Sequence, residues 1–181
     1  MANLNKTRGF EIVTPYLQKV ELPERSTMQS AGYDFGAAET VEVPTIWQQV
    51  GDLAGAHEIA DMIAEADIEV VIEKVKPTMI PTGIKAYMQP GEFLAMPERS
   101  SLFKKTNLKL ANGIGIIDAD YYNNPENEGH IFIGVYNLGA SPITIEKGTK
   151  LTQGIFMPYL LADGDDATGV RVGGIGSTGG Y

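Results

Sequence analysis

His130-Ile-Phe-Ile-Gly-Val-Tyr-Asn137 decides the fold class, because its side chains alternate with the period of two that sends successive residues to opposite faces of a β-strand. Leu151 to Tyr159 repeats the pattern. Between such runs stand turn signals: Pro81-Thr-Gly83, Gln89-Pro-Gly91, Leu138-Gly139 and Glu146-Lys-Gly148. Glycine and proline there supply the φ values that tight connections need. Short strands punctuated in this way predict an all-β sandwich or barrel. Only Pro44 to Asp67 departs from the pattern. Its apolar residues Ile46, Trp47, Val50, Leu53, Ile59, Met62, Ile63 and Ala66 recur at spacings of three and four, which predicts a helical insertion.

The chain has 181 residues, a length that one domain accommodates with a sizeable core. The expected organisation is a single β domain over residues 1–161, with the insertion at about 44–67, followed by an arm over 162–181. The arm is rich in Gly and Asp and offers little to bury, so it is expected to move until a ligand orders it. A formal charge of −9 argues against direct nucleic-acid binding, which draws on an excess of Lys and Arg. There is no cysteine, and the two histidines are His57 and His130, so thiol chemistry and a zinc motif are excluded. No segment approaches the roughly 20 apolar residues of a membrane span. Without a leader-like N-terminus the expected location is the cytoplasm, that of a host cell if the gene belongs to a phage.

Four segments carry candidate chemistry. Asn112-Gly-Ile-Gly-Ile-Ile-Asp-Ala-Asp-Tyr121 places Asp118 and Asp120 two apart, on one face of a strand, with the ring of Tyr121 beside them. One carboxylate could orient and deprotonate a water; a polar turn is the other reading. Pro97-Glu-Arg-Ser-Ser-Leu102 sets Arg99 beside Ser100 and Ser101, which suits phosphate oxygens and equally suits the start of a helical turn. In Arg171-Val-Gly-Gly-Ile-Gly-Ser-Thr-Gly179, the glycines allow close backbone approach to a phosphate while Ser177 and Thr178 add donors. Asp34, within Ala31-Gly-Tyr-Asp-Phe-Gly-Ala37, is an acid among small and apolar residues and needs a partner.

In this order the segments, joined by Gly148-Thr-Lys-Leu-Thr-Gln153, resemble the five motifs of the trimeric dUTPases, the deoxyuridine triphosphate nucleotidohydrolases. The resemblance runs from Ala31 to Gly179 and is specific as a set. It has the look of the phage and bacterial type with an insertion. It implies a β jelly roll assembled as a homotrimer, each site built from three subunits and closed by the C-terminal arm. The implied reaction is dUTP and water to dUMP and pyrophosphate, which limits uracil incorporation into DNA and supplies dUMP for dTMP synthesis. By the resemblance Asp118 orients the attacking water, Asn112 and nearby backbone at Gly115 read uracil, and Tyr121 covers the deoxyribose. Arg99, Ser100, Ser101, Gln153, Arg171, Gly176, Ser177 and Thr178 hold the triphosphate, and Ile175 lies over the base. Mg2+ is the implied ion, because it takes oxygen ligands and travels with substrate phosphates. Asp34 either contacts its water shell or orients Arg171.

Three positions depart from the family pattern. Ile175 replaces an aromatic, for which Tyr181 could compensate; Ser101 replaces a glycine; and the hairpin tip Tyr122 to Glu128 is longer. A dCTP deaminase, which shares the fold and an Arg-Ser-Ser motif, is disfavoured because its catalytic Glu falls at Gly134. A reading of another class is a nucleotide-dependent regulatory protein that engages a protein partner through the 44–67 insertion.

Overall fold

The structure, a computed structural model, describes residues 6–54, 75–171 and 173–174. The chain runs β1 (Gly9–Ile12), β2 (Tyr33–Gly36), β3 (Val41–Val43), helix α1 (Ile46–Ala54), β4 (Thr78–Pro81), β5 (Ile84–Tyr87) and β6 (Glu92–Pro97). There follow the short helix α2 (Leu102–Thr106), β7 (Leu108–Leu110), β8 (Ile114–Asp118), β9 (Phe132–Asn137), β10 (Ile143–Ile145) and β11 (Lys150–Pro158). The fold is all-β, as the alternation predicts. Its strands form a sheet in the order β2-β11-β6-β8, another in the order β4-β9-β7, and the pairs β1-β5 and β10-β3. None of these sheets closes on itself into a barrel; they share one core instead.

Alternation explains how that core is filled. Along β9, Ile133, Val135 and Asn137 are buried while Phe132, Gly134 and Tyr136 are half-buried on the other face. Phe35, Leu94 and Leu151 from the four-stranded sheet meet Ile80, Leu108 and Ile133 from the three-stranded sheet, with Val43 and Ile145 from a strand pair. Each fully buried aliphatic or aromatic side chain contributes about 1.5–3 kcal/mol. Asn137 is the polar member of this row. Its amide donates to the Val43 and Ser141 carbonyls at 3.1 and 3.0 Å and accepts from the Gly139 N–H at 2.9 Å. It therefore ends the strand and closes the predicted turn without an unsatisfied group.

The predicted turns at Gly83, Gly91 and Gly148 all take positive φ. Gly83 is also crowded, since an added Cβ would lie 2.9 Å from the Tyr16 side chain. The helical insertion begins as α1, capped by Thr45, whose hydroxyl accepts the Gln48 N–H at 2.9 Å. The remainder of the expected 44–67 insertion lies outside the described residues. No described helix is long and apolar enough to cross a membrane.

Candidate active site

Among the described residues strand β8 is an edge of the four-stranded sheet, hydrogen-bonded to β6 on one side. Its residues Gly115 to Asp118, with Asn112, Tyr121 and Arg171, line a cavity of about 370 Å³. Met79, Leu110, Phe132 and Ile133 complete an apolar wall, and Thr152 reaches it from β11. Gly115 keeps the strand close to its neighbours, because a Cβ there would sit 3.3 Å from Met96 and 3.6 Å from the Asn112 amide nitrogen.

Asp118 ends the strand, whereas Asp120 lies on the 3-10 turn Ala119–Tyr121. The expectation that both share a strand face is corrected here; the chain turns after Asp118 because Ala119–Tyr121 closes a tight turn. Both carboxylates still converge on one cation. Arg171 donates from Nη2 to Asp118 at 2.6 Å and from Nε to Asp120 at 2.8 Å, and its guanidinium carbon stands 5.6 Å from the Tyr121 ring centroid. The Arg171 side chain is 10% exposed and that of Asp118 53%, so the arginine is covered while the carboxylate keeps solvent contact. Gly174 of the arm lies close by: Glu126 Oε2 accepts its N–H at 2.6 Å.

Tyr121 is buried on its polar side and faces the cavity with its ring. Its hydroxyl donates to the His130 carbonyl at 2.8 Å and accepts from the Asn127 amide at 2.9 Å. Burial is the largest influence on the phenol and raises its pKa, which keeps it a neutral donor. The tip that supports it is knit by Asn124, whose carbonyl oxygen accepts from Glu126 N–H and Asn127 N–H while its amide donates to the Tyr121 carbonyl and to Asn127 Oδ1. Gly129, at φ +80, lets the chain return, since a Cβ there would meet the Tyr121 carbonyl at 2.6 Å. Sequence reasoning missed Asn124, Glu126, Asn127 and His130; the density of Asn in the tip was the available signal.

A second cluster gathers other expected residues. Arg99 Nε lies 3.3 Å from Asp34 Oδ1, the Gln153 amide donates to the same oxygen at 3.4 Å, and Ser26 donates to Oδ2 at 3.0 Å. Asp34 thus faces Arg99, Gln153 and Ser26, not Arg171. Ser100 is exposed, and Ser101 occupies the N-cap of α2 without a capping hydrogen bond from its side chain. Thr152 lines the cavity and Gln153, next along β11, bonds Asp34; Gln153, with Asp34 beyond it, lies two strands away from Asp118 on the same face of the sheet. Ile175, Gly176, Ser177, Thr178 and Tyr181 lie outside the described residues.

An all-β scaffold that sets a solvent-accessible carboxylate at the mouth of an apolar cavity, with an Arg-Ser-Ser segment and an Arg-bearing Gly-rich arm, defines a hydrolase of the nucleotide-binding class. Comparison with known proteins narrows the class. The dUTPase family model matches residues 59–179. A deoxyuridine 5'-triphosphate nucleotidohydrolase of Lactococcus lactis is 45% identical over 177 residues, spanning 96% of this chain and 99% of the relative. One from Desulfitobacterium hafniense is 38% identical over 125 residues, 66% of this chain and 79% of the relative. The crystal structure of the Streptococcus mutans dUTPase superposes with a TM-score of 0.68 at 39% identity, covering 86% of this chain and 99% of that one. The Staphylococcus bacteriophage 80alpha dUTPase, at 18% identity and a TM-score of 0.60 over 92% of this chain and 99% of that one, shares the fold. This chain belongs to the dUTPase family.

Proposed function

We propose that this chain hydrolyses dUTP to dUMP and pyrophosphate, with Asp118 as the base that activates water. The observation that carries this reading is the position of Asp118: half-exposed, at the end of an edge strand, where the cavity wall formed by Tyr121 begins. The free edge of β8 presents alternating backbone donors and acceptors, and Asn112 adds a side-chain amide; together these suit the donor and acceptor edge of uracil. The Tyr121 ring, fixed by its two hydrogen bonds, covers the sugar and disfavours a 2′-hydroxyl.

In the reaction a water oxygen forms a bond to the α-phosphorus as its proton passes to Asp118, and the bond to the α,β-bridging oxygen breaks. Pyrophosphate leaves with the electron pair. Arg99, Ser100, Ser101, Gln153 and Arg171 supply charge and donors along the triphosphate, so catalysis rests on positioning and charge stabilisation, not on a covalent intermediate. Arg171 holds Asp118 in the free chain and exchanges part of that contact for phosphate oxygens. Asp34 positions Arg99 and Gln153 from behind.

Magnesium belongs to this reading as part of the substrate. No group of three or more His, Cys, Asp or Glu that could hold a metal ion occurs among the described residues. Asp34, the one expected contact, is already surrounded by Arg99, Gln153 and Ser26, a donor environment that suits an anion's neighbours and not a cation. The residues therefore do not fit a resident ion, and Mg2+ arrives on the phosphate oxygens.

The test is pyrophosphate release from dUTP, dTTP, dCTP and UTP with magnesium, on the parent chain and Asp118→Asn. Release from dUTP alone, reduced about 10²–10⁴-fold in the variant while calorimetric dUTP binding persists, is expected, because an amide holds water without accepting its proton. Normal turnover by Asp118→Asn would move the role to Asp120. Ammonia release from dCTP would replace the reading altogether.

A further inference from the structure

The long hairpin tip, unexplained by the reaction above, meets the arm. We propose that the tip is the arm's receptor, with Glu126 and Asp120 as positioning residues that hold Arg171 in register with Asp118. The proposal rests on the hydrolase reading for its kinetic consequence only.

Contacts from the strand end at Asp118, the turn Ala119–Tyr121 and the tip converge on the arm. Asp120 takes Nε of Arg171 at 2.8 Å, leaving Nη2 directed at Asp118 at 2.6 Å. The Tyr121 ring lies beneath the guanidinium at 5.6 Å, a spacing at which a cation is attracted to an aromatic face. Glu126 then takes the Gly174 N–H at 2.6 Å. Gly174 is buried and fits because it has no side chain: a Cβ there would lie 2.9 Å from Glu126 Oε2 and 3.5 Å from the Asn127 amide nitrogen. The receptor is also preformed. Asn124 fixes the backbone of Glu126 and Asn127 through its side-chain oxygen, and Asn127 in turn is bonded to the Tyr121 hydroxyl. One polar network therefore carries both the ring that covers the sugar and the carboxylate that seats the arm. Arg171 and Gly174, three residues apart, are thus each held at the same receptor.

The experiment compares Glu126→Ala and Glu126→Gln in the full chain and in a chain ending before Arg171. Loss of one such hydrogen bond is expected to lower kcat about 3–10-fold with little change in KM, because the arm completes the site in the transition state. Glu126→Gln, whose amide oxygen can still accept the Gly174 N–H, should recover most of the loss. In the truncated chain Glu126→Ala should have no further effect, the coupling expected of residues that act through one contact. Trypsin cleavage after Arg171 without nucleotide should quicken in Glu126→Ala, and this readout stands even if the parent releases no pyrophosphate, an outcome that would sink the hydrolase reading alone. An equal kcat loss with and without the arm, or unchanged kcat and cleavage in the full-length Glu126→Ala chain, would overturn the receptor.

Discussion

His130 stands directly behind the cavity, joined to it through one bond: its carbonyl accepts the Tyr121 hydroxyl. Its ring is 7% exposed with the rest of the residue, packed against Phe132 and Tyr16 at centroid distances of 4.1 and 5.2 Å, and Nε2 accepts the Gly83 N–H at 2.8 Å. Burial pushes its pKa down from 6.5 to about 4, against a smaller opposing pull from Glu39 and Glu128. The unfolded chain therefore binds a proton below about pH 6.5 that the folded chain refuses until about pH 4. Stability from this residue is fully present above pH 6.5 and is lost as the pH falls through that window. Between pH 7.5 and 5 the loss should be about 2 kcal/mol, read from urea midpoints. His130→Gln should flatten the profile there. Glu11, Glu92 and Glu128, all held below the ordinary carboxylate value, act only below about pH 4.5 and leave the window clear. A parent profile as flat as the variant's would show that the imidazole charges without cost.

At the scale of elements, legibility followed the range of the interactions. Alternation located β9 and β11, and glycines located their turns, because strand period and positive φ are local properties. The site's segments were legible for the same reason: each is a short run whose residue types announce its chemistry. What joins them was not. That Asp34 meets Arg99, or that Arg171 meets Asp118, depends on pairings between strands and on the path of residues 159–170. The tip looked like a plain polar turn because hydrogen bonds from Asn124 to its own backbone leave no periodicity. The insertion shows the same division. Its start is legible from helical spacing, yet Thr45, at the head of that span, pairs with Asn137 and caps α1, and Gln49 accepts the Lys76 N–H at 3.1 Å. The base of the insertion is thus part of the β domain. Replacing residues 50–74 by a short Gly-Ser link should leave dUTP turnover within about twofold, since changing the length of a connection costs little entropy. A larger loss, with an unchanged unfolding temperature, would give the segment a part in the reaction; Trp47, 64% exposed on α1, would be the residue to examine next as a contact for a protein partner.

For the whole molecule, the separation of the two clusters sets the decisive constraint. Asp118 ends the edge strand β8, while Asp34, Arg99 and Gln153 gather at β2 and the start of β11. By register Asp118 stands opposite Phe93 and Phe93 opposite Met157, so Asp118 shares a sheet face with Gln153 and Asp34 but stands two strands across from Gln153 and further along the sheet. The expectation is that a dUTP at Asp118 takes its phosphate contacts from the Arg99 cluster of a second copy. The exposed apolar residues Ile114 and Ile116 on β8, with Leu160 and Leu161 beyond β11, supply surface for such an assembly. The assembly this expectation calls for is a cyclic homotrimer, in which each chain offers its Arg99 cluster to the Asp118 of a neighbour and every site is alike. Asp118→Asn and Arg99→Gln should then each be inactive alone. Unfolded together in equal amounts and refolded, they should recover about one quarter of parental activity, because random assortment places an intact Asp118 beside an intact Arg99 at about one contact in four. No recovery in co-assembled trimers would mean that both residues serve the same site from one chain.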